Sequence, residues 1–314
     1  MTKTIFKNSL ITVAIGVMIV SCGVVNNSKQ LAVAKTQTEP LWNIYIPNAN
    51  SRDTYFTIHN ILEAHKYSKG KGIKIGILDW GFGFSNYRAL YAGGECFNGN
   101  RQNFEENNEH GLWMATVLKE IAPECEIFAL GTFIPNDETK WIDAMIEAIE
   151  WAIEKKIDIL TLSHQQITNK NRERFDKIVD KAIANNIVTT FIHYDNPNNI
   201  LPNMLSMRHD YHREPDINIF HFDYNVLLLD NYHNYLGKGS ENAKNRLYLS
   251  FSSMSPVTAG FIAILKSIDG KLTPAAYKNI LIKTSYQMEY NGENADHIVD
   301  IGKAVKYLKE QYGH

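Results

Sequence analysis

An acid, an imidazole and an alcohol, the groups that proton transfer and nucleophilic attack require, stand far apart in this chain, each in a telling context. Asp79 ends the run "KGIKIGILDWGFGF" (Lys71 to Phe84), where Ile73, Ile75, Gly76, Ile77 and Leu78 lead into a lone carboxylate and then into glycines. A strand-end acid can cap a helix, bind a metal or orient a histidine. His110 opens "HGLWMATVLKEIA" (His110 to Ala122), and Gly111 beside it permits close approach of a backbone or a substrate. Ser252 lies in "YLSFSSMSPVTAGFIAILKS" (Tyr248 to Ser267), just before or at a helix start whose first turn accommodates Pro256. A hydroxyl there sits near free backbone N–H groups, which can hold a developing oxyanion. Taken singly, a helix-start histidine reads as a cap or surface residue, and serines at helix starts read as caps. The three in order, each with its strand or helix context, form a far more specific signal.

Such groups need a scaffold that brings them together, and the pattern of the chain supplies one. Short apolar runs at Ile73–Asp79, Cys125–Leu130, Ile157–Ser163 and Ile187–Tyr194 read as buried strands. Between them, 110–122, 140–156 and 174–186 show helical periodicity; in the second, Ile142, Met145, Ile146, Ile149 and Ile153 share a face. Near-continuous apolar strands alternating with helices predict an α/β domain, a mostly parallel sheet between helical layers. Functional groups in such sheets gather at the carboxyl ends of strands. Asp79 and Ser163 each end a strand, and Asp195 and Asn196 follow a third.

On these residues the chain resembles the subtilisin-like serine proteases. "GKGIKIGILDWGF" resembles the family's strand ending in the acid, and "HGLWMATVLKEIAPECEI" its histidine helix with the following turn and strand. "DILTLSHQ" resembles the strand carrying the substrate-binding Ser-x-Gly, and "VDKAIANNIVTTFIHYDN" the helix and strand before the oxyanion asparagine. "SFSSMSPVTAG" resembles the nucleophile motif, with Ser252 at the nucleophile's place, and "LTPAAYKNILIKTS" and "DIGKAVKYL" resemble the closing helices. The resemblance spans roughly residues 55–308. It implies a subtilisin-like three-layer fold and a serine endopeptidase forming an acyl-enzyme. Asp79 would hold the His110 tautomer and stabilise its imidazolium, His110 would take the proton of Ser252, and Ser252 would attack the scissile carbonyl. Ser163 and Gln165 would line the strand against which a peptide substrate pairs.

The departures from the family pattern are specific. Trp80-Gly81 follows the acid in place of Thr-Gly, Leu112-Trp113 follows His110-Gly111 in place of Thr-His, and Ser250-Phe251 precedes Ser252 in place of Gly-Thr. His164-Gln165 replaces Leu-Gly after Ser163, where a side chain narrows or blocks the pocket. Counting without a gap puts Asp195 at the oxyanion position, where an ionised carboxylate repels the charge that must develop. One extra residue in the strand brings the Asn196 amide there instead, which is the favoured reading; a protonated, buried Asp195 is the other. These changes define an alternative function, a catalytically impaired peptide-binding lipoprotein on the same scaffold.

The N-terminus reads separately. Lys3 and Lys7 precede an apolar run, Leu10 to Val20, too short to span a bilayer and matching a signal-peptide core. It ends in "IVSCG" (Ile19 to Gly23), which resembles a lipobox and implies lipid on Cys22. The expected organisation is a lipoprotein signal over 1–21, a tether over 22–50 and the peptidase domain over 51–314. A monomer in the cell envelope, held to the membrane by that lipid and acting on peptide or protein, follows. The formal net charge of −2 gives no basic field for nucleic acid. Cys96 and Cys125 remain, free or bridged, since an oxidising compartment permits a disulfide. His209 and His212 have i, i+3 spacing, but their Asn/Asp-rich surroundings read as a solvated loop. Asp195, Asp210, Asp216 and Asp223 form no recognisable calcium loop. No metal and no cofactor are expected.

Overall fold

Short apolar runs become the strands of one parallel sheet because both of its faces are covered. The computed structural model describes residues 56–106, 110–163, 167–192, 194, 199–200, 251–290 and 293–312. It also gives the backbone of short strands at 31–32, 43–44, 203–205, 218–220, 224–226 and 247–249. In chain order the elements that build the site are a short helix α1 (Ile61–Ala64), strand β1 (Lys74–Asp79), strand β2 (Gly93–Cys96), a short helix α2 (Arg101–Glu105), helix α3 (His110–Ile121) and strand β3 (Glu126–Gly131). Helix α4 (Glu138–Glu154), strand β4 (Ile159–Leu162), helix α5 (Asn169–Ala184) and strand β5 (Val188–Phe191) follow. Three helices close the domain: α6 (Met254–Ile268), α7 (Pro274–Thr284) and α8 (Ile301–Tyr312).

The five labelled strands lie side by side in the order β2-β3-β1-β4-β5, and every pairing is parallel. The chain lays β2 and β3 on one side of β1, then crosses to β4 and β5 on the other. The strand order therefore reverses at β1, and a crevice opens at the carboxyl end of that strand. Asp79 is its last residue.

Strand parity decides which way Asp79 faces. Ile75 and Ile77 point into the layer that holds α3, α6, α7 and α8, while Leu78 points into the layer of α4 and α5. Successive side chains alternate, so Asp79 shares the face of Ile75 and Ile77 and looks toward α3. Gly76 must be small: a Cβ there would lie 2.8 Å from the terminal methyls of both Leu130 and Leu160.

The sequence pattern misses β2. Its Gly93-Gly94-Glu95-Cys96 has no apolar run, and it is a partly exposed edge strand. Its glycines are required by contact, since a Cβ on Gly94 would meet the Ala129 carbonyl oxygen at 2.4 Å. Cys96 and Cys125 are both free thiols. Cys96 pairs with Gly131 at one end of β3, and Cys125 precedes Glu126 at the other. A strand of that length separates them by about 20 Å, far beyond the span of a disulfide. Burial pushes the Cys125 thiol up to about 12, so it stays protonated.

No described helix is long and apolar enough to cross a membrane. The segment 1–21, all of 22–50 including Cys22 apart from the backbone of 31–32 and 43–44, the pair His209 and His212, and most of the aromatic stretch 220–236 lie outside the described residues.

Candidate active site

His110 is placed by contacts between the start of α3 and the loop leaving β1. The Gly111 N–H donates to the Trp80 carbonyl at 2.8 Å, and the Leu112 N–H donates to that of Gly81 at 3.1 Å. The approach is so close that a Cβ on Gly111 would lie 2.7 Å from both the Trp80 carbonyl oxygen and the Phe82 ring. The glycine after His110 is therefore a packing requirement of this fold. With α3 seated this way, His110 Nδ1 lies 2.8 Å from Asp79 Oδ2.

The carboxylate is fully buried, whereas the histidine side chain keeps 17% of its surface exposed. Both carboxylate oxygens are used, since Asp79 Oδ1 accepts the Trp80 N–H at 2.9 Å. A buried charge held by partners on each oxygen avoids the cost of an unsatisfied one. An ionised carboxylate only accepts, so the neutral imidazole carries its proton on Nδ1 and leaves Nε2 as the basic atom. Tyr91 reports the same carboxylate from another side: burial first, then the Asp79 charge, hold its phenol well above the ordinary tyrosine range.

Ser252 sits in a tight turn, Phe251–Ser253, that runs directly into α6. The turn packs against α3, which brings the nucleophile candidate beside the histidine helix. The spacing of α3 and α6 is set by Gly260, where a Cβ would meet Ile121 at 2.5 Å.

A buried polar cluster fixes the start of α6 on the sheet. Ser255 Oγ lies 2.6 Å from Thr161 Oγ1 of β4 and donates to the Thr190 carbonyl of β5, and Thr190 Oγ1 donates to the Ser255 carbonyl at 3.2 Å. Ser255 is three residues from Ser252, so this cluster sets the height of the nucleophile candidate above the strand ends. Sequence reading did not single out these residues; the signal available was a pair of threonines in otherwise apolar strands.

Ser163 follows β4, and its buried hydroxyl has no hydrogen-bond partner among the described residues. Gln165 lies outside the described residues, as do Asp195 and Asn196. Asn199 is fully buried; its Oδ1 accepts the Phe191 N–H at 2.9 Å and its Nδ2 donates to the carbonyls of Phe191 and Tyr194. Among the described residues no group of histidine, cysteine and carboxylate side chains could hold a metal.

The three-layer arrangement and the strand order define an α/β domain of the subtilisin-like class. No family model matches the chain. The chain is 26% identical over 129 residues to subtilisin DY of Bacillus licheniformis, a stretch covering 38% of this chain and 46% of that protein, less than half its length. Among solved structures it is similar to MycP1 with its N-terminal propeptide removed, at a TM-score of 0.59 and 13% identity, covering 80% of this chain and 96% of that one. It is also similar to fervidolysin from Fervidobacterium pennivorans, a keratinolytic enzyme related to subtilisin, at a TM-score of 0.55 and 13% identity, covering 78% of this chain and 44% of that one. The fold is subtilisin-like, and over those 129 residues the sequence is similar to a subtilisin.

Proposed function

We propose that this protein is a serine endopeptidase that cleaves peptide or protein substrates through Asp79, His110 and Ser252. The observation that carries the reading is the 2.8 Å contact between His110 Nδ1 and a fully buried Asp79 carboxylate. That contact fixes the tautomer a general base needs and leaves Nε2 to take the Ser252 proton. Ser252 would then attack the scissile carbonyl to give an acyl-enzyme, and His110 would return the proton to the leaving amine. The start of α6 offers backbone N–H groups near the oxyanion, and Asn196, or a protonated Asp195, would supply the side-chain donor. Substrate would pair as an added strand along Ser163 and Gln165. Lipid on Cys22 would hold the domain at the outer side of a membrane.

A fluorophosphonate probe tests the reading on folded full-length protein at neutral pH. It labels Ser252 in the wild type and fails with Ser252→Ala, a part-buried change checked for unaltered melting temperature. A second reading, a peptide-binding lipoprotein without turnover, has the sequence departures in its favour: His164-Gln165 in place of Leu-Gly after Ser163 and an acid, Asp195, at the oxyanion position. Absence of labelling, with saturable binding of peptides, would establish that second reading.

A further inference from the structure

The inference deepens the peptidase reading and rests on it. Trp80, the residue directly after the strand-end acid, lays its indole on the His110 imidazole. The ring centroids are 4.9 Å apart and the planes only 8° from parallel. The backbone of Trp80 is pinned from two sides, its N–H on Asp79 Oδ1 and its carbonyl on the Gly111 N–H. The indole also packs on Phe133 at 4.5 Å, and Phe133 meets Trp141 of α4 edge-on at 5.7 Å. A chain of aromatic rings thus runs from the catalytic imidazole over the strand ends to the helical layer on the opposite face.

We propose that Trp80 is a positioning residue that fixes the plane of the His110 ring and stabilises the imidazolium formed when Ser252 gives up its proton. A hydrogen bond through Nδ1 alone leaves the imidazole free to tilt about that contact. A rigid indole stacked on the ring face removes the tilt and keeps Nε2 aimed along one direction. The indole face also carries negative quadrupole density, which attracts the cation that exists only after proton transfer. Stabilisation confined to that stage raises the rate of the chemical step without tightening substrate binding. The small residue that the family places after its acid offers no such ring, so this device belongs to this chain's own departure from the pattern.

The test compares full-length wild type, Trp80→Phe and Trp80→Leu by the rate at which a fluorophosphonate probe labels Ser252. In parallel, NMR of histidine-labelled protein reads the ring-current shift of the His110 carbon-bound protons, which needs no activity. Stacking on a cation is worth a factor of roughly two to thirty in rate. Labelling is expected to fall by that factor in Trp80→Leu, with the upfield shift lost, and to return most of the way in Trp80→Phe, with part of the shift restored. Wild-type labelling in Trp80→Leu with the shift gone would overturn the proposal alone. Equal impairment of Trp80→Phe and Trp80→Leu, both folded by circular dichroism, would do the same, because a space-filling role does not distinguish an aromatic face. An unlabelled wild type that still shows the ring-current shift would overturn the peptidase reading, and this proposal with it.

Discussion

On the face of the sheet covered by α4 and α5, the buried side chains are Leu78, Leu130, Leu160, Leu162 and Phe191, with Thr189 a polar exception. On the face covered by α3 and α6, the apolar layer is interrupted by Asp79, Thr161, Thr190, Ser255 and His59, and all five are buried. The outer surface of α4 and α5 is laced with ion pairs such as Arg174–Asp143 and Lys181–Glu150, made by half-exposed side chains. Non-directional packing is enough to hold one layer to the sheet. The other layer is seated by directional contacts, His110 on Asp79 and Ser255 on Thr161 and Thr190, and by glycine-sized approaches at Gly111 and Gly260. The site side is therefore expected to be intolerant of small geometric changes that the opposite side absorbs.

The sharpest way to break this contrast is Gly111→Ala. A methyl group there has no room against the Trp80 carbonyl, so the start of α3 must shift away from Asp79. Overpacking costs about 1–3 kcal/mol, and misplacing the imidazole lowers probe labelling by on the order of a hundredfold. The matched change on the other face, Ile149→Val, costs about 1 kcal/mol and leaves labelling intact. Chemical denaturation and labelling rates read both. Equal labelling losses in the two variants would erase the distinction.

His59 tests the site side through pH. It is fully buried, its Nδ1 is bonded to the Val299 carbonyl and its ring lies against Phe261. Burial lowers its pKa to about 4, against the weaker raising effect of the Val299 carbonyl. The unfolded chain takes up this proton below about 6.5, whereas the folded chain resists until about 4. Stability from this group is thus complete above the unfolded value and is lost as pH falls toward the folded one, by about 3 kcal/mol in all. Melting temperatures measured from pH 7 to pH 4 should drop, and His59→Gln should flatten that decline.

Ser255→Ala removes a hydroxyl shared by β4, β5 and α6. The loss is about 1–2 kcal/mol by denaturation, with slower labelling because the turn holding Ser252 loses its seat. Arg174→Ala, on the far side, is expected to cost under about 1 kcal/mol and to leave labelling unchanged. A larger effect for Arg174→Ala than for Ser255→Ala would reverse the reading of the two faces.

Much of the fold was legible in advance. The strands ending at Asp79 and following Ser163's run, the helix opening at His110 and the helices after Ser252 lie within a few residues of their expected bounds. These are local patterns, strand runs and 3.6-residue periods, that survive whatever the rest of the chain does. The edge strand Gly93–Cys96 was not legible, because its two glycines answer to contacts with β3 and carry no apolar signal. The stacking of Trp80 on His110 was equally hidden. In the sequence Trp80 is a departure from a family pattern; its meaning depends on where α3 begins in space.

The sequence by itself determined the alternation of strands and helices, the place of an acid at a strand end, and the order of acid, imidazole and alcohol, because these depend on neighbours along the chain. Only the tertiary structure decided that Asp79 faces α3, that its carboxylate meets His110 Nδ1, that Trp80 covers the imidazole and that Cys96 and Cys125 stand at opposite ends of a strand. Those outcomes depend on the register between strands distant in sequence, on how closely Gly111 lets α3 approach the loop after β1 and on how closely Gly260 lets α6 approach α3, distances that no local periodicity encodes.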